Sequence, residues 1–330
     1  MSFSHEVKEE LARIYEGDRS GKLAELSALM HTCGSIEIHG MKGIAARISS
    51  ENAAIIKKVY MLIKDVFGFK QEVCIKRNRQ LTKHNLYFIT VEGENAFKIM
   101  TECGIILIAE DGSWIINNKI VDGIVDDEKR KRAYLRGAFL GCGSLNDPEK
   151  GYHMEMVVQN EEYAFSLGEL LRFFELKAKI IARKNNYIVY LKEGEQIVDF
   201  LNLIGAHKAL LDFENVRVFK EVRNNVNRIV NCETANLSKT VNAALKQIDN
   251  IRYIENTIGL KSLPPDLYEV AIMRLENRDL SLKELGQLLT PPLGKSGVNH
   301  RLKRIEEIAM KIKKQRGDVY IVQKDGSCEK

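Results

Sequence analysis

No two cysteines in this chain of 330 residues are spaced CxxC, and the six that occur (33, 74, 103, 142, 232 and 328) follow no regular framework. That excludes a zinc ribbon or a disulfide-stapled scaffold and leaves free thiols, as in a reducing compartment. No apolar run approaches the ~18 residues of a membrane span. The opening MSFSHEVKEELARI is polar and charged where a signal peptide would be apolar. A soluble, cytoplasmic protein with no membrane partner is therefore expected. A strong excess of one charge is missing too: 50 Lys and Arg against 45 Asp and Glu leave +5. Such a balance permits a polyanionic partner without requiring one, so the distribution of charge matters more than its total.

The length should support two or three domains, because single cores rarely grow beyond about 250–300 residues. An internal repeat is the most informative feature. LSALMHTCGSI at 26–36 aligns without a gap on LRGAFLGCGSL at 135–145, placing Ala28 on Gly137, Thr32 on Gly141, Cys33 on Cys142, Gly34 on Gly143 and Ser35 on Ser144. The segments downstream repeat in the same order: 48–68 parallels 157–175, and 72–104 parallels 179–205. Each copy reads as helix, strand, strand, helix, strand, strand, helix, from alternation in IEIHG, HMEMVV, YFITVE and YIVYLKE and from three-and-four spacing between them. Small residues four apart allow two helices to meet backbone to backbone, so Ala28 and Thr32 should face Gly137 and Gly141 in a central pseudo-twofold pair.

Past residue 212 the strand signals end. Phe219, Val222, Val226 and Ile229 share one helical face, and Leu237, Val241, Leu245 and Ile248 repeat the pattern. Pro264 and Pro265 mark a junction, and a compact helical module comes next. Ser281 with Glu284 makes a capping box that starts its second helix; after the turn TPPLGK comes a longer helix with Val298, Leu302, Ile305, Ala309 and Ile312 on one stripe. From Lys295 to Arg316 there are eight Lys or Arg against two acids, so the positive charge belongs to this helix. A short helix, a turn and a basic helix have the layout of a helix-turn-helix, whose second helix enters the major groove N-terminus first. The turn is longer than the usual three or four residues.

Suitable groups stand at that leading end. Asn299 can read adenine, Ser296 and His300 can meet base edges, and Lys295, Arg301, Lys303 and Arg304 can hold phosphates, with Lys283 on the helix before. Upstream, Lys220, Asn224, Asn227 and Arg228 are candidates for a secondary DNA or partner contact, since asparagine is a mediocre helix former. Alternatively these asparagines satisfy turns in a linker. Lys76, Arg77, Arg79, Lys83 and His84 in the first copy and Arg183 and Lys184 in the second are further basic candidates at hairpins.

The repeated stretch resembles the LAGLIDADG motif of homing endonucleases, in which two such helices meet and each leads into a saddle of antiparallel strands on DNA. In that family an acid precedes the final glycine and the two acids hold catalytic metal ions. Here those positions are Cys33 and Cys142. A thiol is a poor ligand for magnesium, which takes hard oxygens. The resemblance therefore implies the frame without the chemistry: no catalytic residue, no metal and no cofactor are expected. A small buried side chain is the simpler role for each cysteine, and a redox pair or soft-metal site the sharper one.

Over essentially the whole chain, SFSHEVKEEL at the start, NRIVNCETANLSKT at 227–240 and LSLKELGQLLTPPLGKSGVNHRLKRI at 280–305 resemble the WhiA family. That resemblance implies a DNA-binding transcription regulator linked to cell division, chromosome segregation and sporulation. The expected fold is α+β: a pseudo-twofold duplicated LAGLIDADG-like saddle with two central helices, then an all-α helix-turn-helix domain. The expected divisions are an N-terminal helix (1–20), repeat 1 (21–125), repeat 2 (126–212), a helical linker (213–262), the helix-turn-helix (263–316) and a tail (317–330). Double-stranded DNA is the expected partner, with RNA polymerase or another regulator beside it and no small-molecule substrate. Two alternatives stay open: an endonuclease using displaced acids such as Glu37 and Asp147, and an adaptor that acts through protein contacts alone.

Overall fold

The structure, a computed structural model, describes residues 2–15, 17–38, 43–77 and 85–316. Two compact units divide between Glu221 and Val222. In the first, α1 (Phe3–Ala12) precedes two copies of one motif. Copy one runs α2 (Arg19–Cys33), β1 (Gly34–Ile38), β2 (Ile44–Ser50), α3 (Ala53–Phe67), β3 (Val73–Arg77), β4 (Asn85–Glu92) and α4 (Gly93–Glu102). A two-stranded hairpin, β5 (Ile106–Ile108) and β6 (Trp114–Ile116), separates it from copy two. That copy runs α5 (Glu128–Cys142), β7 (Gly143–Leu145), β8 (Met154–Val158), α6 (Glu161–Phe173), β9 (Lys179–Arg183), β10 (Asn186–Leu191) and α7 (Gly194–Ile204). The strand orders match, β1-β2-β4-β3 and β7-β8-β10-β9, with every neighbour antiparallel. The expected α+β architecture and element order are those observed.

Each motif helix passes directly into a strand at its glycine. Gly34 and Gly143 are extended, and their N–H groups donate back to the carbonyls of Met30 and Phe139. A methyl group on Gly34 would collide with the Met30 carbonyl and one on Gly143 with Phe139, so glycine is the residue that lets the helix become a strand without a loop. The same logic holds α2 and α5 together. A methyl on Gly137 would run into the Glu25 carbonyl, 3.0 Å from the Ala28 methyl, and one on Gly141 would run into the Thr32 side chain. Ala28 thus faces Gly137 and Thr32 faces Gly141, as the repeat predicts, and Leu26, Leu29, Leu135, Ala138, Phe139 and Leu140 are buried around the contact.

A charged cluster lies beneath this seam. Glu25, 2% exposed, bonds Lys58 Nζ at 2.8 Å and Arg136 Nε at 3.0 Å. Lys58, fully buried, also donates to the carbonyls of Leu11 at 3.0 Å and Ile14 at 2.5 Å. Buried charges are tolerable only when paired and fully hydrogen-bonded; here the pairing joins α1, both motif helices and α3.

The long helix α8 (His207–Thr257) gives its first part to the first unit and the remainder to the second. The second unit continues with α9 (Pro265–Glu276), α10 (Leu282–Gln287) and α11 (Lys295–Gln315), around a core of Ile251, Ile254, Leu267, Val270, Leu285, Val298, Leu302 and Ile305. Proline at the first position of α9 costs nothing, since the N–H it lacks has no partner inside a helix. Among the described residues no helix is long and apolar enough to cross a membrane. Residues 317–330 lie outside those described.

Candidate nucleic-acid interface

In the second unit, sequence chemistry fixes how α11 is presented. The capping box forms in full: Ser281 Oγ accepts from the Glu284 N–H, and the Glu284 carboxylate accepts from the Ser281 N–H at 2.9 Å. α10 then packs so tightly on the following turn that a methyl on Gly286 would strike the Leu293 carbonyl, while Leu293 N donates to Gly286 O at 2.9 Å. The turn at 288–294 delivers α11 with Val298, Leu302, Ile305, Ala309 and Ile312 all buried, as their spacing predicts. The opposite face is open. Lys295, Ser296, His300 and Lys303 are exposed, Asn299 is half-buried, and Lys295, Ser296 and Asn299 line a shallow depression with Leu282. Lys283 on α10 is exposed as well.

The basic residues of α11 divide into two sets. Arg301 and Arg304 are turned toward Asp266 at the start of α9: Arg304 Nη1 lies 3.3 Å from its carboxylate, and Arg301 donates to its carbonyl at 3.3 Å. Lys313 donates to Asn250 at 3.4 Å and stands over the Tyr253 ring, and Arg316 donates to the Thr257 carbonyl. These groups brace the helix. Lys295 and Lys303 at its leading half, like Lys311 and Lys314 further along, are exposed and keep no ion pair among the described residues. Asp266 could not be found from sequence, because nothing in its spacing from residue 301 or 304 announces the contact.

In the first unit the two cysteines end the motif helices. Cys33 Sγ donates to the Leu29 carbonyl at 3.1 Å and Cys142 Sγ to that of Ala138 at 3.2 Å. Burial pushes both thiols up to about 12, so they stay protonated, and the sharper readings of them find no support here. Lys8 on α1 is the cation next to them. Burial holds its ammonium below the usual lysine range, with Cys142 and Cys33 as its neighbours. A hard divalent cation does not suit this donor set. The displaced acids are used elsewhere: Glu37 pairs with Arg47 at 2.7 Å, and Asp147 caps its own turn through the Glu149 N–H at 2.9 Å. Among the described residues no three His, Cys, Asp or Glu side chains are grouped to hold a metal.

Known proteins agree over most of the length. Residues 19–106 match the model of the WhiA N-terminal LAGLIDADG-like domain, 131–223 that of the WhiA LAGLIDADG-like domain, and 226–309 that of the WhiA C-terminal HTH domain. A probable cell division protein WhiA from Thermoanaerobacter sp. is 55% identical over 96% of this chain and 99% of its own. The chain belongs to the WhiA family. A second relative of that name, from Clostridium perfringens, is 50% identical over 95% of this chain and 99% of its own. The crystal structure of full-length DUF199/WhiA from Thermatoga maritima, 29% identical, superposes with a TM-score of 0.58 over 94% of this chain and 99% of that one.

Within this WhiA-type frame the remaining candidates fall in several places. Lys220 donates to the Pro148 carbonyl at 2.7 Å and lies over the Tyr152 ring, so its ammonium is engaged in the first unit. Asn224, Asn227 and Arg228 are exposed on α8. Lys76 is exposed at the end of β3, Arg183 ends β9, and Lys184 makes the adjoining turn with φ 54°. Arg79, Lys83 and His84 lie outside the described residues, as does the side chain of Arg77. The β5–β6 hairpin is absent from the sequence-based expectation, although its DG turn between apolar runs is a recognisable signal. It exposes Ile108, Trp114, Ile115 and Ile116.

Proposed function

We propose that this chain is a sequence-specific, double-stranded-DNA-binding transcription regulator of the WhiA type, acting in cell division, chromosome segregation and, where its organism sporulates, sporulation. The observation that carries the reading is the leading face of α11: Lys295, Ser296, His300 and Lys303 stand in solvent above a fully buried apolar stripe, with Asn299 beside them. Contacts to phosphate then position the helix, and Asn299 and Ser296 read bases. Cleavage is not part of this function. The positions that carry acids in the nucleases hold protonated thiols beside Lys8, and Glu37 and Asp147 are committed to local contacts.

Footprinting the full chain on genomic fragments, followed by titration on a protected site and on random DNA, tests the proposal. Lys303→Ala should lower the salt slope by about one unit on both. Asn299→Ala should cost about 1–3 kcal/mol on the preferred site and far less on random sequence. Absence of any protected site, or equal losses for Asn299→Ala on both DNAs, would overturn sequence reading by α11. Magnesium-dependent nicking of supercoiled DNA that Glu37→Gln abolishes would restore the nuclease.

One observation favours protein contact as well. The β5–β6 hairpin pairs its exposed apolar residues with an acidic tip, Glu110 and Asp111, a combination suited to a protein and repelled by phosphate. RNA polymerase or another regulator is the partner class this suggests. Trp114→Asp should leave DNA affinity intact and change transcription in a reconstituted promoter assay. Unchanged transcription would count against the hairpin.

A further inference from the structure

The second unit contains a cleft of about 650 Å³ between the C-terminal stretch of α8, the α9–α10 connection and the first turn of α11. One wall is Leu237, Val241 and Leu245, with Leu280 and Leu282 across from them. The three α8 residues are spaced as the stripe an amphipathic helix buries, yet they are 66%, 46% and 53% exposed. Single apolar side chains in water are ordinary, whereas several lining one concavity mark a binding surface. The volume lies in the range of small-molecule sites, about 300–1,000 Å³.

Two polar side chains that line the same cleft each carry a buried atom without a partner. Arg274 is 2% exposed. Its Nη1 donates to the Leu280 carbonyl at 2.8 Å and more distantly to those of Asn277 and Arg278, while Nε is buried with no acceptor. No carboxylate among the described residues pairs with this guanidinium. A buried charge without a counter-charge is among the least favourable arrangements in a fold. Gln247 Oε1 is also buried and unpartnered; because an amide can turn through half a circle, that side chain can equally offer N–H. At the rim Lys239, Arg278 and Lys295 outnumber Asp279.

We propose that this cleft binds an amphipathic organic anion of small-molecule size, its aliphatic or aromatic body against Leu237, Val241 and Leu245 and its anionic head beside the Arg274 guanidinium, among Lys239, Arg278 and Lys295. The body covers exposed apolar wall, and the head supplies the counter-charge that Arg274 lacks. Duplex DNA has no apolar body to cover that wall. A helix, about 10 Å across with its side chains, needs a longer trough than a cleft of this volume. Lys295 lines both this cleft and the depression at the leading end of α11. An occupant therefore competes with phosphate for that ammonium and lowers DNA affinity. This last consequence rests on the DNA-binding reading; the binding itself does not.

The test uses the full chain without DNA, with decanoate below its micellar concentration displacing the fluorescent sulfonate 1-anilinonaphthalene-8-sulfonate. Saturable displacement is expected, with decanol at least about tenfold weaker. Val241→Asp, which sets a carboxylate on the exposed wall, should weaken decanoate by about tenfold or more. Met310→Asp, exposed on α11 outside the cleft, should not. Arg274→Gln should erase the preference for decanoate over decanol; if that variant does not fold, the comparison of the two ligands on the parent chain still reports the need for charge. No saturable displacement by about 1 mM decanoate, equal displacement by decanol, or indifference to Val241→Asp would overturn the site. Decanoate that binds while DNA affinity stays unchanged would leave the site standing and remove the coupling through Lys295.

Discussion

His31 shows how a single side chain takes its properties from its neighbours. Its ring stacks on Tyr163 at 4.9 Å and 3°, Nδ1 donates to the Ser27 carbonyl at 3.0 Å with the Tyr134 hydroxyl at 3.3 Å, and Nε2 is buried without a partner. Burial pushes it down to about 4, against about 6.5 in an unfolded chain. The unfolded state thus binds the extra proton. The stability contributed by neutral His31 is fully present above about pH 6.5 and is lost as pH falls toward 4, by an amount on the order of 3 kcal/mol. Denaturant titrations of the parent and His31→Phe across that window should diverge, the variant losing less as the solution is acidified; parallel curves would mean that the ring titrates normally. Lys58 is a second case. Lys58→Met leaves Glu25 buried beside Arg136 alone and frees two carbonyls, a loss of about 3–5 kcal/mol in the same assay. Neither neighbourhood is legible in the sequence. The repeat places His31 just before Thr32 and Cys33, but it says nothing of Tyr163, more than a hundred positions away.

Among the elements, α11 is the one the sequence describes best, because its apolar stripe, its charge and the capping box of α10 are all local patterns. What locality cannot supply is the partner of each charge. Arg301 and Arg304 read as phosphate contacts, yet both lie against Asp266. Partly exposed pairs of this kind contribute little to stability, about 0–1 kcal/mol, so Asp266→Asn should fold normally. It should also release the Arg304 guanidinium, while Arg301 keeps its bond to the main-chain carbonyl, and tighten DNA binding, with the salt slope rising by about one unit as Arg304 meets a phosphate. An unchanged slope would place Arg304 outside the interface. For α8 the pattern reads as helical and amphipathic, and the helix is there, while the exposure of Val222, Val226, Ile229, Leu237, Val241 and Leu245 contradicts the burial such a stripe normally signals. Spacing reports which residues share a face. It cannot report whether anything covers that face.

At the scale of the molecule, duplication is the most legible property, since eleven aligned residues and everything downstream of them preserve one order of elements. Both copies fold to the same strand order, and their motif helices meet where the small residues predict. Gly137→Ala should destabilise the first unit by about 1–3 kcal/mol or more through overpacking against Glu25 and Ala28, seen as a lower midpoint for that unit's transition with the second unit's unchanged; a neutral result would show that the helices can slide apart freely. The contact is unequal by construction. All the bulk at the seam comes from the first copy, as Ala28 and Thr32, and all the space from the second, as Gly137 and Gly141. Two first halves brought together would press methyl on methyl, and two second halves would leave a void. A knob and a notch on one polypeptide therefore select their own mate, and while such a chain is being synthesised among many others like it, its halves close on each other rather than on a neighbour's.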